Sequence, residues 1–126
     1  MRRMTDAAIR FAERRRREDE APRLREVVPE LATLKLEVEE RHGAMATSVG
    51  APKHVRLVVV DNAPALFALP CGDASCRDGG YDVTDGVLRH LRAREGQFEL
   101  EDSCMGNVGT ASCGRTLHLT AIATYR

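Results

Sequence analysis

Apolar residues recur along this chain with two different periods. Before residue 31 the spacing is helical. Met4, Ala8, Phe11 and Ala12 form a thin apolar stripe, and either Thr5 or Asp6 can cap a helix that runs to about Glu20. Pro22 ends that helix or opens a new first turn, where its missing N–H costs little. Leu24, Val27, Val28 and Leu31 continue an apolar face at helical spacing, and Pro29 places the helix end nearby.

After that the period becomes two. Leu34, Leu36 and Val38 alternate with Lys35, Glu37 and Glu39, the pattern of a half-buried strand. Leu31, Leu34 and Val38 also fit a longer helix, but the alternation favours the strand. Residues 42–53 read as a loose loop, and Val55 to Val60 as a β-branched strand. Asp61-Asn62-Ala63-Pro64 is a turn, and Ala65 to Leu69 forms the next strand, so the short connection predicts an antiparallel hairpin. A compact loop holds Gly72, Asp73, Gly79 and Gly80. Asp82 or Thr84 then caps a helix with Val83, Val87, Leu88 and Leu91 on its buried side and Gly96 as its stop. Phe98 and Leu100 lead a strand ending near Cys104. A glycine-rich turn follows, and Thr116 to Tyr125 closes the chain as a strand with Leu117, Leu119, Ala121, Ala123 and Tyr125 on one face.

This order predicts an α/β (α+β) fold: a single mixed sheet of about five strands with one crossover helix, preceded by an N-terminal helical arm. The arm covers residues 1–31 and the α/β domain residues 32–126. If the strands ending at Cys71 and Cys104 are parallel, they and the intervening helix form a βαβ unit with a right-handed crossover. Both cysteines then sit at one sheet edge. Cys113, across the turn from Cys104, shares that edge, and Cys76 lies in the loop after Cys71.

Composition sharpens the chemistry. Aromatic residues make up only 4% of the chain, so the core is built from Val, Leu, Ile and Ala, and a small aliphatic core gains from a metal staple. The formal net charge is zero, which removes a global electrostatic footprint for nucleic acid. Locally, residues 1–17 carry seven arginines against Asp6 and Glu13, followed by a Glu-rich block over residues 18–40. The two blocks can neutralise each other within one chain or between two. Met1-Arg2-Arg3 leads into a charged helix and not into an apolar signal segment, and no run has the length of a membrane span. A cytoplasmic address is therefore expected, and there paired cysteines more often bind metal than form disulfides.

The four cysteines are Cys71, Cys76, Cys104 and Cys113, with four residues inside the first pair and eight inside the second. Four thiolates suit a tetrahedral Zn2+ site with no open coordination position, hence a structural one, coupled to folding. A [2Fe-2S] cluster, disulfides and unligated small core residues are the competing readings. The stretch from Val58 to Tyr125, with Pro70-Cys71-Gly72-Asp73, Cys76, Gly79-Gly80, a helix and two further cysteines, resembles a group of small uncharacterised bacterial four-cysteine proteins. That resemblance covers a little over half the chain and implies zinc binding without an activity. A partial likeness to thioredoxin-like [2Fe-2S] ferredoxins rests on the order strand, Cys, Cys, Gly-Gly, helix, strand, Cys, with Cys104-Met105-Gly106 echoing the start of the last ferredoxin motif. Here Cys71 and Cys76 lie closer together, and Cys104 and Cys113 further apart, than in that family, and no Gly-Pro follows the last Cys.

Other residues weigh less. Asp73, Asp78, Asp82 and Asp85 crowd the cysteine loop, where turn formation and capping explain them more simply than acid–base work. His42, His54, His90 and His118 are scattered, and none stands beside a cysteine in sequence as the base of a thiol nucleophile. Arg14 to Arg17 could grip phosphate, but beside Glu18-Asp19-Glu20 they read as a self-complementary solvated face. Met4, Ala8, Phe11, Leu24 and Val28 suit contact with a partner protein or a second copy. The expected function is therefore a non-catalytic interaction or regulatory module, with electron transfer through [2Fe-2S] and nucleic-acid regulation through the arginine helix as alternatives.

Overall fold

The computed structural model describes residues 6–42, 53–73 and 75–126. Met4, Thr5 and residues 43–52 of the loop expected over 42–53 lie outside them, while His42 and Lys53 themselves are strand residues. Among the described residues, three helices, α1 (Asp6–Glu20), α2 (Leu24–Val27) and α3 (Thr84–Arg92), accompany eight strands. These are β1 (Leu31–His42), β2 (Lys53–Val58), β3 (Ala68–Leu69), β4 (Tyr81–Asp82), β5 (Gln97–Ser103), β6 (Asn107–Val108), β7 (Ala111–Ser112) and β8 (Arg115–Tyr125).

The fold is α+β, and its main sheet has four strands in the order β2-β1-β8-β5. Every neighbouring pair is antiparallel. The alternation from Leu34 to Val38 forms a strand as expected, and it continues to residue 42 because β8 offers a partner only one residue shorter, pairing Leu34 with Ala123 and His42 with Arg115. One face of this sheet carries Leu34, Leu36, Phe98, Leu117, Leu119 and Ala121, all buried. Val87, Leu88 and Leu91 of α3 and Leu24 and Val28 at α2 belong to the same core. Gly86 lets α3 approach closely, since a Cβ there would stand 3.2 Å from both methyl carbons of Leu100.

Two expectations are corrected. The single mixed sheet of five strands does not form, and there is no parallel βαβ crossover: β3 leaves the main sheet and pairs antiparallel with β4 as a separate two-stranded ribbon. The stretch concerned lies between Pro64 and Pro70, neither of which can donate to a ladder. Phe67 instead donates its N–H to Thr84 Oγ1 at 2.8 Å. The hairpin expected between residues 55–60 and 65–69 is also absent: β2 pairs with β1, and β3 with β4. The turn at residues 59–63 exists, with Asn62 and Ala63 N–H groups on the Val59 carbonyl. It delivers the chain to α2, where Leu24 N–H meets the Ala63 carbonyl and Ala65 N–H the Pro22 carbonyl.

The end of α3 is likewise set differently. Ala93 caps it and Arg94 adopts a left-handed φ of 58°, so the stop comes before Gly96. In the N-terminal arm, Leu24 and Val28 are buried in the chain's own core, whereas Phe11 stays 63% exposed.

Candidate metal centre

Two small ribbons build the site. Pairing of Leu69 with Tyr81 closes residues 70–80 into a loop that contains Cys71 and Cys76. The β6–β7 hairpin lies between Cys104 and Cys113, and Gly109 takes the positive φ of 62° that its two-residue turn requires. The loops are then sewn together: Arg77 N–H donates to the Asn107 carbonyl at 2.8 Å, and Asn107 N–H returns to the Arg77 carbonyl at 2.9 Å. Cys104 N–H on the Arg115 carbonyl and Cys113 N–H on the Gly106 carbonyl, both 2.9 Å, fix the second pair.

The result gathers all four cysteines, with every sulfur within 4.8 Å of the others. Cys71 Sγ and Cys113 Sγ are 3.6 Å apart, as are Cys76 Sγ and Cys104 Sγ. Zinc–sulfur bonds of about 2.3 Å in a tetrahedron imply sulfur–sulfur edges of about 3.8 Å. The cluster therefore has the dimensions of a site for one ion. Cys76, Cys104 and Cys113 are buried and Cys71 is half-buried. Convergence, expected from a crossover helix and one hairpin, is achieved instead by two antiparallel ribbons.

Backbone clearance at two glycines makes this packing feasible. A Cβ on Gly79 would lie 2.4 Å from Cys76 Sγ and 2.5 Å from Cys104 Sγ. One on Gly106 would lie 2.5 Å from Cys76 Sγ and 2.6 Å from Gly79 Cα. Only glycine fits where two loops press against sulfur from both sides. Backbone amides also aim at the sulfurs: Gly80 N–H at Cys104 Sγ, 3.3 Å, and Asp73 N–H at Cys71 Sγ, 3.5 Å. Such donors favour thiolate over thiol.

As free thiols the four are not equivalent. Burial pushes Cys71 up to about 11, and the Asp73 amide only partly offsets it. Burial, reinforced by the neighbouring thiols, also raises Cys76. Burial acts on Cys104 in the same direction, but the Gly80 and Gly106 amides with Cys76 and Cys113 outweigh it and hold this thiol below its ordinary value.

Several supporting residues escaped the sequence reading. Glu40 accepts the Gly72 N–H at 3.0 Å and the Tyr81 hydroxyl at 2.8 Å, tying the first cysteine loop to β1. Burial and the Glu40 carboxylate raise the Tyr81 phenol, which keeps it a donor. The signal was present, because Glu40 continues the inward parity of Leu34, Leu36 and Val38. A carboxylate on that face needs a partner. Arg10 donates from Nη1 to the Cys76 carbonyl at 2.7 Å, and Arg17 pairs with Asp82 at 2.6 Å, so α1 is fastened over the cysteine loop. A cleft of about 580 Å³ remains between them, lined among others by Phe11, Arg14, Cys71 and Met105.

The remaining candidates have other duties. Asp73 Oδ1 accepts the Ser75 N–H and Asp82 Oδ1 the Thr84 N–H, both local turn contacts; the N-cap position of α3 is Val83, without a side-chain cap, and not Asp82 or Thr84 as expected. Asp78 supplies a left-handed residue with φ 57°, and Asp85 lies in the first turn of α3. Hydrogen bonds from Thr84 and Arg17 outweigh the burial of Asp82 and hold its carboxyl below the usual range. His90 stacks on Phe98 and pairs with Glu95, and His118 pairs with Glu101 at 3.4 Å. His54 is exposed. Within Arg14 to Arg17, Arg14 pairs with Glu18 and Arg17 with Asp82. Among the described residues, no helix is long and apolar enough to cross a membrane.

The architecture is that of an α+β domain carrying a compact four-thiol cluster able to bind a metal ion. No family model, curated protein or solved structure matches the chain.

Proposed function

We propose that Cys71, Cys76, Cys104 and Cys113 hold one Zn2+ ion, that the site is structural, and that the protein is a non-catalytic interaction or regulatory module. The observation that carries this reading is the mutual approach of all four sulfurs within 4.8 Å. A [2Fe-2S] cluster divides its thiolates between two irons and needs a wider spread, so the dimensions favour a single ion. Four sulfur ligands leave no coordination position for substrate or water, which is the arrangement of a structural ion. The likeness of residues 58–125 to small bacterial four-cysteine proteins points the same way. The ion would cross-link two loops that are joined otherwise by few backbone bonds, so folding of this end and metal uptake are coupled.

Contact with a partner protein or a second copy would use α1, whose Ile9 and Phe11 are exposed while Leu24 and Val28 serve the internal core. Elemental analysis of the purified protein, with an absorption spectrum, tests the metal assignment. One equivalent of zinc in a colourless protein is expected. Iron with visible charge-transfer bands, or thiols that titrate freely in metal-replete native protein, would sink it.

A further inference from the structure

We propose that Cys71 and Cys113 form a site of reversible oxidative modification, in which a hydroperoxide converts the pair to a disulfide and the metal ion is expelled. The proposal rests on the zinc reading above and concerns how that same site is regulated.

Three observations single out this pair. Cys71 is the half-buried member of the cluster, whereas the other three are buried. It lines the 580 Å³ cleft beneath α1, a space ample for a small peroxide; Cys76 also borders this cleft, but with only 1% of its surface exposed. The Cys113 sulfur stands 3.6 Å away, so a resolving thiol is already in place. Cys76 and Cys104 are equally close to each other, but they are enclosed by Gly79 and Gly106, with 1% and 5% of their surface exposed. Oxidant access therefore separates two pairs that spacing alone would leave equivalent.

The chemistry balances with the peroxide as sole oxidant. The Cys71 sulfur attacks one peroxide oxygen and the O–O bond breaks, giving a sulfenic acid and, after protonation, one water from hydrogen peroxide. The Cys113 sulfur attacks the sulfenic sulfur, the S–S bond forms, and the sulfenic oxygen leaves as a second water after taking a proton. The peroxide gains the two electrons that the two thiolates lose. Two ligands are consumed, and the two thiolates that remain, Cys76 and Cys104, bind the ion too weakly to retain it. A thiol reductant with added zinc reverses the change.

The test uses the full wild-type chain loaded with zinc. Hydrogen peroxide is titrated in while a chromophoric chelator reports released zinc. The products are alkylated and mapped without reduction, with cleavage before Asp73 to part Cys71 from Cys76 and tandem fragmentation to part Cys104 from Cys113. One zinc released per first disulfide is expected, with that disulfide joining Cys71 to Cys113, and full rebinding after reduction. Retention of zinc while thiols are lost, a first disulfide between Cys76 and Cys104, or irreversible oxidation of Cys71 alone would each overturn the proposal. The metal content before peroxide is added is a separate reading: a chain that never holds zinc defeats the metal assignment itself.

Discussion

Gly79 and Gly106 decide how closely the two cysteine loops can meet. Adding one methyl group at either position drives carbon to about 2.5 Å from sulfur, where the neighbour is backbone or a fixed thiol and cannot yield. Gly79→Ala and Gly106→Ala should each cost about 1–3 kcal/mol through overpacking and weaken metal binding. Paired thermal melts and chelator competition check this, and unchanged values for both variants would contradict it. Removing Glu40 tests the other support. Glu40→Ala leaves the Gly72 N–H and the Tyr81 hydroxyl without an acceptor, for a loss of about 1–3 kcal/mol in denaturant unfolding. Titration adds a third expectation. Cys71 ionises at about 11 in the folded chain against an ordinary 9.0. Between those values the unfolded chain has released a proton that the folded one keeps, so metal-free protein loses stability as pH rises through that window. Metal uptake must expel the protons on Cys71 and Cys76, so zinc affinity should rise with pH, and calorimetry in buffers of different ionisation enthalpy should register proton release. At this scale the cysteines were legible because their chemistry is distinctive. Glu40 showed only as a carboxylate on an inward parity, without its partners Gly72 and Tyr81, and Arg10 showed nothing, because it acts on a backbone carbonyl far away in sequence.

Strands with long alternating runs declare themselves, and short ones do not. β1, β5 and β8 span 12, 7 and 11 residues, each with a buried parity that the sequence displays. β3 and β4 are two residues each, too short to carry a period, and only their partnership defines them. The end of α3 was misplaced for a related reason: Arg94 accepts a left-handed φ that composition assigns to glycine, and its guanidinium lies 5.2 Å from the Tyr125 ring centroid. The attachment of α1 belongs to this scale too. Arg10→Ala removes a charged donor from the Cys76 carbonyl and should loosen the helix by about 1.5 kcal/mol or more. Arg17→Ala breaks an exposed pair and should cost under about 1 kcal/mol. Hydrogen exchange should quicken in residues 6–20 of Arg10→Ala and stay unchanged in β1 and β8. Equal acceleration throughout would mean that α1 is part of the global unfolding unit.

For the whole molecule, the class of fold was legible and the topology was not. Which strand lies beside which is settled by long-range register: β1 has β2 on one side and β8 on the other, β5 lies beyond β8, and the stretch between Pro64 and Pro70 joins neither outer edge but pairs with β4. The backbone is held unevenly. Cys76, Cys104 and Cys113 belong to the same buried core as the sheet, α2 and α3, but the loops that carry them are tied by two short ribbons and the ion proposed between them, against long ladders in the main sheet. Stripping the metal should therefore lower the melting temperature and expose residues 70–80 and 104–114 to exchange while β1, β5 and β8 keep their protection. Four-sulfur coordination of one ion is read directly by X-ray absorption at the metal edge. A zinc edge with a single shell of four sulfurs at about 2.3 Å is expected. A shell of nitrogen or oxygen, fewer than four sulfurs, or a second metal atom at short range would contradict it.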